Sequence, residues 1–322
     1  MLASGRGGAS IGSMLASVAT MAAEFAPDRR RNLILGAVLA GYPIGATLFG
    51  LIAADVIPAY GWRSIFMIAG VTTLATLPLV WILLPESLSF LLRVQPFNAL
   101  TQVNKILRRM DVTPFETLPD IPDEHHQAPS VKNLFHRDRA TATTFLWLAF
   151  FMNFVALYFL TSWIPKLASA AGLALNLSIY AGAVFNLGAV FGIATSGLIS
   201  QQLGLKKTIA MFLFLAALSM ACFQFSVGSS WVLPVFGLIG FFIQGGFVGL
   251  YAVATRLYPT DLRTTGVGWA IGAGRSGAIV GPFLGGIVIA AGVEIGTNFS
   301  LFGFVLVLAA LCTLRIRSAN ID

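Results

Sequence analysis

Charge is what this chain has least of. Only 10% of its 322 residues are Asp, Glu, Lys or Arg, against roughly 25% in a soluble globular chain. Histidine is scarcer still: His125, His126 and His136 all fall in one polar stretch. An apolar run therefore has no imidazole to act as a base or to ligate haem, so Ser276 in "GRSG" lacks the His that a membrane serine protease needs. Two adjacent histidines in a loop also make a poor metal site, and no metal or cofactor is expected. The two cysteines, Cys222 and Cys312, lie inside apolar runs and build no disulfide framework. There is no GxxxxGK[ST] loop to cradle phosphates, and no repeated filter or ring of charges of the kind that makes a channel. The opening "MLASGRGGAS" has no separate apolar core of a cleavable leader.

What is abundant is apolar sequence, 57% of the chain. A bilayer-crossing helix needs about 20 mainly apolar residues. Nine such runs occur, near 8–26, 33–57, 62–84, 142–165, 177–200, 208–227, 231–255, 264–291 and 297–314. They are continuous rather than alternating, which predicts an all-α membrane bundle and not a barrel. Sixteen of the 20 Lys and Arg residues lie in alternate loops or the tail, and the intervening loops hold only Arg63 and Lys166. This asymmetry predicts a multi-pass protein of the inner (plasma) membrane with a cytoplasmic C-terminus. It also assigns the net charge of +7 to loops facing anionic lipid, so no nucleic-acid partner is expected.

The chain carries an internal repeat. "EFAPDRRRNLILG" and "RLYPTDLRTTGVG" each place Arg four residues after Pro, at Pro27/Arg31 and Pro259/Arg263. The same offset pairs Gly36 with Gly268, Pro43 with Arg275 and Gly45 with Gly277. These segments are six helices apart, which suggests a six-helix duplication with twelve spans when complete. The expected organisation is a partial N-terminal bundle over 1–84, a central cytoplasmic loop over 85–141 and a six-helix bundle over 142–322, in a chain shortened by three helices at its front. Within the central loop, Phe97, Leu100, Val103, Leu107 and Met110 share one helical face, predicting an amphipathic helix on the anionic leaflet. Four prolines over 111–130 predict an irregular segment after it.

Several stretches resemble the major facilitator superfamily, and within it the aromatic acid:proton symporters. They are "AEFAPDRRRN", "LPESLSFLL", "YFLTSWIPKLASAAGL" and "YPTDLRTTGVGWAIGAGRSGAIVGPFLGG". "GLISQQLGLKK" is similar to the superfamily's cytoplasmic loop motif, with Gln201 and Gln202 in place of its acid–base pair. The resemblance implies twelve helices in two halves and uptake of aromatic carboxylates with protons by alternating access. It also implies structural or gating roles for Glu24, Arg31, Gly197, Gly204, Lys206, Pro259 and Arg263. The family's paired aspartates of the first helix have no counterpart here. A sugar or other metabolite porter of the same superfamily, or a shortened chain without transport activity, are the alternatives.

Arg275 is the residue that most needs an explanation. A permanent cation at a helix centre costs about 2.5–3.5 kcal/mol even on insertion scales, so it should face a hydrated cavity or a partner. Its planar fork suits a substrate carboxylate, and a structural ion pair is the other reading. Asn153, Tyr158, Asn186, Gln244 and Tyr251 could line the same cavity, the rings stacking on an aromatic substrate and the amides bonding its polar groups. Trp163 reads either as a further ring of that cavity or as an interface anchor. The glycines around Arg275 (Gly266, Gly268, Gly272, Gly274, Gly277, Gly281, Gly285 and Gly286) read as close helix packing.

Overall fold

The structure is a computed structural model that describes residues 18, 21–22, 24–26, 31–110, 112–119, 131–136 and 139–316. Among the described residues no strand occurs, and eight helices are long and apolar enough to cross a bilayer. These are α1 (Arg31–Tyr60), α2 (Arg63–Leu83), α6 (Ala140–Ala170), α7 (Leu175–Leu203), α8 (Leu205–Ala221, continued by a 3₁₀ turn over Cys222–Ser226), α9 (Val232–Leu257), α10 (Thr260–Ala290) and α11 (Ile295–Arg315). The expected span at 8–26 lies outside the described residues apart from a few positions. Shorter helices stand between α2 and α6: α3 (Leu88–Val94), α4 (Ala99–Arg109) and α5 (Val131–Leu134).

Helix limits follow local chemistry. α6 and α10 both stop at an Ala-Gly pair, with Gly172 at φ 98° and Gly292 at φ 72°. A left-handed glycine there turns the chain while Gly172 N–H bonds Ser169 and Gly292 N–H bonds Ile289. α6 runs on past Pro165, five residues beyond the expected limit, because near a helix end a proline removes little more than its own N–H bond.

The chain divides into two compact units, Met1–Leu35 with Val56–Gln127, and Gly36–Asp55 with Ala128–Asp322. In the first, no residue of α2 is buried. α4 departs from the expectation of a helix lying on lipid. Its buried residues Val103, Ile106 and Leu107 pack on Leu91 of α3, flanked by Phe25, Leu88, Leu92 and Leu118. Protein thus covers the middle of the apolar stripe, whereas Met110 is exposed and Phe97, expected within the stripe, precedes the helix and is 93% exposed. Ser87 begins α3 by accepting a bond from the Phe90 N–H and donating to both Glu24 carboxylate oxygens, at 3.0 and 2.8 Å. Glu24 therefore anchors the start of α3.

The second unit is built from helix pairs. α10 packs along α6 and α9 along α7, while α11 packs against both α8 and α6. The first two seams are lined by glycine. A Cβ at Gly188, Gly192 or Gly240 would run into the carbonyls of Gly237, Phe241 and Phe185, respectively, and one at Gly277 or Gly281 into those of Phe151 and Val155. Backbones this close give dispersion contact that larger side chains would prevent. Gly268 and Gly272 have nothing within 4 Å; they lie on the other face of α10. Between the helices, Phe159 stacks on Phe302 at 3.6 Å and Phe223 on Phe299 at 3.9 Å.

Candidate functional site

Arg275 stands in the middle of α10, half-buried, and among the described residues it has no ion-pair partner. Its position follows from the seam. A Cβ at Gly274 would lie 2.7 Å from the Phe150 Cβ and 3.0 Å from the Phe154 ring, so α10 closes on α6 at that level and Arg275 emerges beside the contact. Phe150 and Phe154 belong to an aromatic cluster shared with α9. Phe154 meets Phe247 edge-on at 4.9 Å, Phe247 meets Tyr251 at 5.3 Å, and Tyr251 meets Phe150 at 5.3 Å. Tyr158 lies 5.7 Å from Phe154. The Tyr251 phenol is within electrostatic reach of both the Arg275 guanidinium and the Tyr158 phenol.

One member of this constellation was not expected. Tyr42, on the Gly36–Asp55 part of α1, also lies within reach of Arg275 and Tyr158, and it is 61% exposed. The repeat held the signal: Tyr42 precedes Pro43, the position that overlays Arg275. The site thus presents one fixed cation, three phenols and a wall of phenylalanine rings, with no carboxylate among its described members.

The other expected residues divide. Gln244 is 5% exposed and shares its helical face with Phe247 and Tyr251, so it belongs with the site. Asn186 is half-buried and donates to the Gly182 carbonyl of its own helix at 2.8 Å. Asn153 stands apart from Tyr158 on α6. It is fully buried, and it stands five residues before Tyr158, about 140° around the helix. Its face is that of Leu146, Ala149, Leu157 and Leu160, all buried, and neither of its polar atoms has a partner. An orphaned amide costs about 1–3 kcal/mol. Asn153→Leu is accordingly expected to raise the melting temperature and leave uptake intact, as measured by thermal unfolding in detergent and by transport assay.

Ser276 donates to the Ala273 carbonyl of its own helix. Trp163 makes a specific contact across to α10. Its indole N–H donates to the Pro282 carbonyl at 3.1 Å, and its ring lies against Gly285 and Gly286, tying the far ends of α6 and α10 together. Trp163→Phe keeps the ring and loses the bond; a destabilisation of about 0.5–1.5 kcal/mol is expected, read as a lowered melting temperature. Lys206 Nζ donates to the Ile316 carbonyl at 3.1 Å, fastening the start of α8 to the end of α11. Gly204 turns the chain ahead of it at φ 83°, whereas Gly197 has open space around it. Pro259 caps α10, Arg263 lies in that helix's first turn, and the Arg31 side chain lies outside what is described. Asp55 accepts a bond from the Tyr180 hydroxyl at 3.2 Å.

The model of the Major Facilitator Superfamily matches this sequence twice, over residues 1–194 and 146–320. The chain belongs to that superfamily. Within it the chain sits among the aromatic acid transporters. The gallate transporter of Pseudomonas putida is 32% identical over 95% of this chain and 69% of its own length. The 4-hydroxybenzoate transporter PcaK of Acinetobacter baylyi is 30% identical over 94% of this chain and 66% of its own. The chain thus spans about two thirds of the length of these relatives. Among solved structures, the Escherichia coli fucose:proton symporter FucP superposes with a TM-score of 0.62 at 15% identity, covering 94% of this chain and 73% of that one. The proton:xylose symporter XylE gives 0.66 at 18%, covering 91% and 65%. At such identities these two share the fold. A multi-pass membrane protein with a transporter fold is what sequence and structure agree on.

Proposed function

We propose that this protein is a secondary transporter that takes up small aromatic carboxylates together with protons by alternating access, in the inner membrane and with its C-terminus in the cytoplasm. The observation that carries this reading is Arg275, a permanent cation without an ion-pair partner among the described residues, set among Tyr42, Tyr158 and Tyr251 beside the Phe150–Phe154–Phe247 wall. A carboxylate on Arg275 would supply the missing counter-charge through two parallel bonds. An aromatic ring edge-on to the phenylalanines would add about 0.5–1.5 kcal/mol beyond its buried area. The substrates of the gallate and 4-hydroxybenzoate transporters support the same class.

The test is uptake of labelled 4-hydroxybenzoate, gallate and a hexose by vesicles holding this chain, under an imposed proton gradient and across pH. Accumulation of the two aromatic acids but not the hexose is expected, rising as the external pH falls. Accumulation of the hexose, or of no solute at all, refutes the reading. The three phenols further predict selectivity for hydroxylated rings. Tyr42→Phe deletes one hydroxyl at the open side of the site and should reduce the preference for 4-hydroxybenzoate over benzoate by about two- to tenfold, the worth of one hydrogen bond. The ratio of the two substrates' kcat/KM measures it.

A further inference from the structure

At the basic end of the α6–α10 pair, a turn or more from Arg275, four polar atoms are buried with no hydrogen-bond partner: Arg139 Nη1, Trp147 Nε1, the Tyr258 hydroxyl and Arg263 Nε. The helix register brings them to one level. α10 runs parallel to α6, with Gly281 on Val155 and Gly274 on Phe150, and Trp269 stacks on Trp147 at 6.1 Å. Carried back to the helix starts, that register puts Arg263 and Arg139 at one level of the pair. Tyr258 fills the space between: its ring lies where a Cβ on Gly266 would be, and its hydroxyl neighbours Thr143 and Trp147. Thr143 donates to the Leu134 carbonyl at 3.0 Å and keeps an oxygen that can accept, yet neither the Tyr258 hydroxyl nor Trp147 Nε1 is aligned with a partner.

This arrangement is costly as it stands. Tyr258 is only 1% exposed, so its orphaned hydroxyl has no water to turn to. Two guanidinium groups brought level repel each other, and each has a buried N–H without an acceptor. Neither has an ion-pair partner among the described residues. Asp138 lies outside them, as does the Asp261 side chain. Burial pushes the Tyr258 phenol above its ordinary value, so it remains a donor at any physiological pH. Four donors, two of them cationic, converge here, and the two guanidinium N–H groups have no acceptor among the described residues.

We infer that Arg139, Trp147, Tyr258 and Arg263 form a second anion site, distinct from Arg275, that holds a phosphate group. A phosphate offers several acceptor oxygens to match the donors, and guanidinium pairs bind it in preference to chloride because the fork geometry matches. Both arginines are only half-buried, which leaves an approach from the surface. Phe135, 40% exposed, and Trp269, 48% exposed, flank Trp147. Exposed aromatic rings beside buried cations are the setting of a membrane headgroup layer. The phosphate comes either from a phospholipid headgroup or from solution, and the two sources share this chemistry.

The test uses the purified full chain and its thermal unfolding. Inorganic phosphate should raise the melting temperature by several degrees over sodium chloride of equal ionic strength. Arg139→Gln and Arg263→Gln should each weaken the phosphate response at least about tenfold, while Arg256→Gln, an exposed arginine at the end of α9, should not change it. Tyr258→Phe should also weaken the response without lowering the melting temperature in chloride, which a merely structural tyrosine would not do. Nanodiscs of phosphatidylglycerol with phosphatidylcholine, compared with phosphatidylcholine alone, identify the source. Protection that depends on Arg263 in the anionic discs assigns a headgroup, and its restriction to free phosphate assigns a soluble anion. The inference is overturned if phosphate and chloride act alike, or if Arg256→Gln weakens the response as much as Arg263→Gln. It is also overturned if phosphate binds only once Asp138→Asn or Asp261→Asn is introduced, because those acids would then be the natural acceptors.

Discussion

Replacing Arg275 with alanine is expected to abolish carrier-mediated uptake of aromatic carboxylates while leaving the bundle at least as stable as before. Truncating one partner of a desolvated charge pair costs about 2–5 kcal/mol of binding, a loss of roughly 30-fold to several thousandfold in affinity. The stability change should have the opposite sign. A helix-centre cation costs about 2.5–3.5 kcal/mol on insertion scales, and Arg275 has no ion-pair partner among the described residues to recover that cost. Arg275→Lys keeps the charge but loses the planar fork, so it should restore part of the uptake with a raised KM. The measurement is KM and kcat for 4-hydroxybenzoate beside the melting temperature of the same preparations. A structural arginine would show both falling together. Unchanged uptake in a normally expressed alanine variant would remove Arg275 from the site altogether.

Much of this architecture could be read from the chain before any coordinates, for a physical reason. A bilayer demands continuous apolar runs, and each span expected within the described residues recurs as a helix with its limits moved by a few residues. Arg275 was conspicuous because an intramembrane cation needs a cause. What stayed hidden depended on which face of one helix meets which face of another. The stripe Phe97–Met110 has the period of a lipid-facing helix, but periodicity does not say whether lipid or Leu91 covers it. Asn153 and Tyr158 lie at similar depth, and depth alone does not show that they stand about 140° apart around α6 with Asn153 fully buried. The Trp163 bond to Pro282 joins residues 119 positions apart, and no local pattern encodes it. Tyr42 is legible in the repeat, since "GYPIGA" and "AGRSGA" overlay and set its neighbour Pro43 at the position of Arg275.

The second large effect is expected at the glycine seams, where one methyl group should separate two positions on the same helix. On α7, a Cβ at Gly192 would run into the Phe241 carbonyl, while Gly182 has nothing within 4 Å. On α10, Gly281 meets the Val155 carbonyl and Gly272 meets nothing. A side chain cannot rotate away from a backbone carbonyl, so the helices must part, and every atom along the seam loses dispersion contact at once. Overpacking of this kind costs about 1–3 kcal/mol for alanine, and valine adds further bulk at the same point. Gly192→Val and Gly281→Val should therefore lose most of the folded, monodisperse protein in size-exclusion chromatography. Gly182→Ala and Gly272→Ala should equal or slightly exceed the parent, because alanine is favoured over glycine within a helix by roughly 0.5–1 kcal/mol. If the two classes behave alike, the seams are not where these helices meet, and the position of Arg275, which rests on Gly274 against Phe150, fails with them.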